Sequence, residues 1–181
     1  MNSDLLAQLQ SYDLESTLPY LLNRAGVKIG TAFSQDIARF DMSLPVWRIL
    51  ASLCHQDQQR LTELADHTSI EVSTLSRLVS ACHKDGLLSR RRSGADGRSV
   101  TISITNEGRE QAARIIPIAQ LYERIALAGI PAEEVALLKR LLARVYVNIA
   151  ALGVMPEPVA TKRASRKRRA APRRAARGVR K

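Results

Sequence analysis

Nine residues, Arg90 to Arg98, read RRRSGADGR and lead into the alternating run SVTISIT. Val100, Ile102 and Ile104 alternate with Thr101 and Ser103 at the period of a half-buried strand, and Gly-Ala-Asp-Gly is turn chemistry. The stretch therefore predicts a two-stranded hairpin over about 87–104 with an arginine-bearing tip. Such a tip fits the minor groove of duplex DNA, where negative potential attracts arginine. Arg98 is the candidate for insertion, because Gly97 lets the backbone come close. Phosphate would repel Asp96, so it is read as a turn former or as the partner that orients an arginine. Alternate side chains of a strand point to opposite sides, so Arg90, Arg91 and Arg92 cannot all reach DNA; Arg90 and Arg92 are taken as candidates.

A second set precedes the hairpin. Ser73, Thr74, Ser76, Arg77 and Ser80 fall opposite Val72, Leu75, Leu78, Val79 and Cys82 on a helical wheel. Short hydroxyls and one guanidinium can approach base edges and phosphates if that helix lies in a major groove. A third set, Arg24, Trp47 and Arg48, reads either as a core tryptophan beside solvated arginines or as the border of a ligand cleft in which an arginine could pair with a carboxylate. Cys54-His55 and Cys82-His83 invite a zinc reading, but adjacent helical residues diverge by about 100° and no Cys-x-x-Cys spacing exists. Both cysteines are expected in the core. The three histidines have no nucleophile or carboxylate at a catalytic spacing. No enzyme, cofactor or metal is expected.

The positioning elements follow from periodicity and caps. An amphipathic helix covers about 18–39. Ser43 caps a second, with Pro45 in its first turn and Val46, Ile49, Leu50 and Leu53 inward. A short third helix lies near 60–67. Thr68 and Glu71 have capping-box spacing for a fourth, which Gly86 ends. Thr105 starts a fifth that Pro117 should kink, and Pro131 opens a final helix through about Leu152, with Glu133 and Glu134 at its positive end. The fold class is mainly α with a small β-wing.

Short helix, turn, helix and basic hairpin make a winged helix-turn-helix. The stretch from Leu61 to Glu110 resembles the DNA-binding core of the MarR family, through Leu64-Ala65, the run from Ser73 to Val79, Gly86-Leu87, Asp96 with Arg98, and Thr105 with Gly108. The similarity extends over about 18–152. It implies a homodimer joined by its terminal helices, 18–39 and 106–152, around a DNA-binding core of 43–104. It also implies a pseudo-palindromic operator and repression released by a small ligand. Cys82 and Arg60 depart from the family pattern, which usually has leucine and a small capping residue there. LPYLLNRAG and LPVWRIL are similar to regulators of aromatic-compound catabolism, including those that sense hydroxycinnamates or their CoA thioesters. Independently, Val135, Leu138, Leu142, Val145 and Ile149 with Leu137, Leu141 and Leu152 give the last helix more apolar surface than one contact face needs.

Charge is uneven. Of 28 basic and 17 acidic side chains, eleven and one lie in 156–181, leaving 17 and 16 in residues 1–155. The division expected is a domain over 1–155 and a disordered basic tail over 156–181. The tail also suits a nucleoid-associated, DNA-organising protein, which is the alternative function. No apolar run approaches a membrane span and no secretory signal is visible, so a cytoplasmic protein without a membrane partner is expected.

Overall fold

The computed structural model describes Leu9, residues 11–93 and residues 99–151. Asp96, Arg98 and the tail 156–181 lie outside the described residues. The chain divides into two compact units, Met1–Ile130 and Pro131–Lys181.

In the first unit, a 3₁₀ turn at Leu14–Ser16 leads into α1, Leu18–Ile37, which a second 3₁₀ turn, Ala38–Phe40, terminates before left-handed Asp41. Of the apolar series that predicted α1, Phe33 and Ile37 are buried, whereas Leu14, Leu18 and Leu21 stay about half exposed, at 48 %, 48 % and 50 %. Helix α2, Leu44–His55, starts from extended Ser43 with Pro45 in its first turn, but the Ser43 hydroxyl makes no capping bond.

Gln59–Arg60 forms a two-residue strand, β1, which sequence periodicity could not reveal. It pairs antiparallel with β3, Ser99–Ile104, and β3 pairs with β2, Leu88–Ser93, so the expected hairpin is part of a three-stranded sheet in the order β1-β3-β2. Arg60 precedes α3, Leu61–Thr68. The Glu63 carboxylate accepts from the Arg60 backbone N–H at 2.8 Å and from its guanidinium at 2.9 and 2.5 Å. The missing small cap is thus replaced by an acid that reaches back.

Helix α4 spans Val72–Lys84, and Gly86 takes the left-handed conformation, φ 75°, that a glycine after a helix end supplies at little cost. Helix α5, Asn106–Ala126, runs through Pro117 as one element and is capped by Thr105, whose hydroxyl oxygen accepts from the Gly108 N–H at 3.1 Å. Ile49, Leu50, Leu53, Leu64, Leu75 and Ile115 are wholly buried, joining α2, α3, α4 and α5 around one core. Each such side chain stabilises the fold by roughly 1.5–3 kcal/mol relative to exposure.

In the second unit α6 covers Ala132–Ala150, with Pro131 as its N-terminal cap and no buried residue. No helix among the described residues is long and apolar enough to cross a membrane.

Candidate nucleic-acid interface

Helix α4 is set by its inner face: Leu75 and Val79 are fully buried and Cys82 is 2 % exposed. Two expected core positions fall outside it. Val72 is 43 % exposed and Leu78 only half-buried, because Val72 opens the helix and Leu78 lies at the edge of the stripe. Ser73, Thr74, Arg77 and Ser80 are exposed and Ser76 is half-buried, so the predicted polar face exists as one surface.

Its N-terminus is capped by Glu71 alone. Its carboxylate accepts from the Ser73 and Thr74 backbone N–H groups, each at 3.0 Å, and from the Ser73 hydroxyl. These bonds, the Ser73 hydroxyl first, hold the Glu71 carboxyl down at about 2. The expected pairing with Thr68 is corrected: the Thr68 hydroxyl is buried and donates to the Leu64 carbonyl at 2.6 Å, ending α3 instead of starting α4. Because Ser73 gives its hydroxyl proton to Glu71, it faces outward as an acceptor.

The wing is anchored to α4 at two levels. At its base, His83 Nδ1 lies 2.8 Å from the Leu88 carbonyl oxygen, and the Thr105 hydroxyl lies 2.7 and 3.0 Å from the Gly86 and Leu87 carbonyls. Further out, Arg90 Nη2 donates to Ser80 Oγ at 2.7 Å. The register pairs Arg90 with Ile102, Arg91 with Thr101 and Arg92 with Val100. Arg90 and Arg91, as neighbours on a strand, therefore take opposite faces of the ribbon.

Asp57 is a residue that the sequence reading passed over. One of its carboxylate oxygens accepts from the Ile104 N–H at 3.0 Å, and the other accepts from Arg109 at 2.7 Å, which ties the loop after α2 to the wing and to α5. Its partners are 47 and 52 residues away, so no local spacing points to it.

The ligand candidates separate. Trp47 is half-buried with its ring edge-on to Phe33 at 6.0 Å, and Arg48 is exposed beside it. Both line a cavity of about 530 Å³ with Ser52, His55, His67 and Ser69. Arg48 also borders a groove of about 460 Å³ along α1. Arg24 lines neither. Its guanidinium lies over the Tyr20 ring, 5.4 Å from the centroid. Cys82 is buried as expected, but Cys54 is exposed, which corrects its core assignment; burial still pushes both thiols up. Among the described residues no three His, Cys, Asp or Glu side chains are grouped to hold a metal ion.

A three-stranded wing beside a capped helix with one polar face defines a winged helix-turn-helix protein of the DNA-binding class. The MarR family profile matches residues 40–99. The HTH-type transcriptional repressor IacR of Pseudomonas putida is 27 % identical over 134 residues, 74 % of this chain and 80 % of that protein. A MarR family transcriptional regulator from Silicibacter pomeroyi is 27 % identical with a TM-score of 0.71, covering 76 % of this chain and 93 % of that one. The CouR structure from Rhodococcus jostii, bound to p-coumaroyl-CoA, shares the fold at 20 % identity and a TM-score of 0.66, covering 75 % and 96 %. Over residues 40–99 the chain thus matches the MarR family, and over about three quarters of its length it is similar in sequence and fold to MarR-family transcriptional regulators.

Proposed function

We propose that this chain is a repressor that binds a pseudo-palindromic operator as a homodimer and leaves it when a small aromatic acid or its CoA thioester binds. The observation that carries the DNA half is the exposed polar face of α4 beside the arginine-bearing wing. Ser73, Thr74, Ser76 and Arg77 are assigned to the major groove, and Arg92, Asp96 and Arg98 to the wing's approach to the minor groove. Repression is supported by the repressor relative, and a thioester effector by the coumaroyl-CoA bound to CouR. Dimerisation is supported by apolar side chains that the single chain leaves uncovered, among them Leu18, Leu21, Leu137, Leu141 and Ile149. Trp47 and Arg48 are the effector candidates. Arg24 is kept as a second possible partner for the anion.

Sequencing the genomic fragments the protein retains, with and without phenolic acids and their CoA thioesters, tests this reading. Recovery of one palindromic motif that disappears with an effector is expected. Recovery of unrelated fragments, held equally against competitor DNA, would favour the nucleoid-associated reading, which the eleven basic residues of 156–181 support. Replacing Arg98 with alanine should weaken operator binding by about 1–3 kcal/mol while the dimer persists.

A further inference from the structure

We propose that Arg90 is a positioning residue, one that locks the wing to helix α4 with Ser80 as its seat and does not itself touch DNA. This rests on the reading of α4 and the wing as the operator-binding surface. Arg90 occupies the face of β2 that also carries buried Leu88, opposite Ile102, which is 2 % exposed. One pair further out, Val100 is 42 % exposed, so Arg90 stands where the core under the ribbon ends. Its guanidinium turns onto the flank of α4. There Nη2 lies 2.7 Å from Ser80 Oγ and 3.4 Å from the Ser76 carbonyl oxygen.

The hydrogen-bond inventory of Ser80 makes this a matched seat. A hydroxyl has one proton, and Ser80 gives its own to the Ser76 carbonyl at 2.7 Å. The oxygen then meets Arg90 with a lone pair, and the cation's donor finds an acceptor already turned toward it. Ser80 thereby spends its proton and one lone pair within the protein and has no donor left to offer a base. A wing held only at its base would pivot as a ribbon. A second tie one step outward fixes the spacing between the groups that enter the two grooves, which is the spacing that operator binding needs.

Anisotropy titrations of a selected operator over a range of salt test the proposal, with wild type, Arg90→Ala, Ser80→Ala and the double variant. Both positions are exposed and polar, and melting curves followed by circular dichroism check that each variant folds. Each single variant is expected to lose about tenfold in affinity, a ΔΔG near 1.4 kcal/mol. The double variant should lose no more than the weaker single, because both remove one coupling. The slope of log affinity against log salt should stay at the wild-type value in all three. A slope shallower by about 0.9 in Arg90→Ala would mean that the guanidinium neutralises a phosphate and would overturn the proposal. So would wild-type affinity in Ser80→Ala, or additive losses, which would give the two residues separate roles. If the wild type shows no operator preference, the operator reading fails and takes this proposal with it.

Discussion

Glu71 shows how one side chain sets what a helix presents. Its carboxylate closes the first turn of α4 by accepting from the Ser73 hydroxyl and from the Ser73 and Thr74 N–H groups, which holds its pKa at about 2 against an ordinary 4.5. A depressed carboxyl contributes stability that is fully present above the ordinary value and is lost as pH falls through the folded one. The stability difference between wild type and Glu71→Gln should therefore be constant above about pH 5.5 and shrink as pH falls toward about 2. Urea unfolding of both proteins across that range measures it, and a difference that does not change with pH would show that the charge of the cap is immaterial. Leu75 and Leu78 separate core from edge on the same helix. Leu75→Ala should cost about 2–5 kcal/mol through a cavity, and Leu78→Ala distinctly less, because Leu78 is only half-buried. Equal losses in denaturant unfolding would mean that the two positions are equally packed.

At the scale of elements, the junction between the wing and α5 is closely packed at Gly108. A Cβ built on Gly108 would lie 2.3 Å from the Leu87 carbonyl oxygen and 2.8 Å from Ile104 Cγ1. Helix propensity alone favours alanine over glycine by about 1 kcal/mol. Here the nearer obstacle is backbone, which cannot rotate away, so Gly108→Ala should instead destabilise by about 1–3 kcal/mol. A raised melting temperature would contradict that packing. The same junction holds the Thr105 cap, and Asp57 ties the loop after α2 to Ile104 and Arg109. The base of the wing, the loop after α2 and the first turn of α5 are thus joined by hydrogen bonds.

For the whole molecule, charge is concentrated at one end of the sequence. Residues 156–181 carry eleven basic side chains and one acid, while residues 1–155 are close to neutral. If about half of those basic groups meet phosphates, a chain ending at Met155 should bind operator with a salt slope shallower by about 4–5 units, at about −0.9 per phosphate. Its preference for operator over random duplex should hardly fall, since the residues proposed to enter the grooves remain. An unchanged slope would show that the tail makes no phosphate contact. Loss of operator preference would show that it reads more than charge.

The existence and order of the helices were legible in the sequence because each bears a local signal: a 3.6-residue apolar stripe, a proline in the first turn, a glycine past the end. The wing was legible from its alternation and turn residues, and the polar face of α4 from the wheel. What tertiary structure decided was every partnership between distant residues. Strand β1 has two residues and no period, and it exists because β3 offers an edge at Gln59 and Arg60. Thr68 and Glu71 have the spacing of a cap, yet burial turned Thr68 back onto α3. Cys54 is apolar by pattern and exposed in fact, since the edge of a stripe is settled by what packs against it. Arg90 looks in sequence like one cation of three. Its seat on Ser80 follows from where the core ends beneath the ribbon, a boundary set by three elements together.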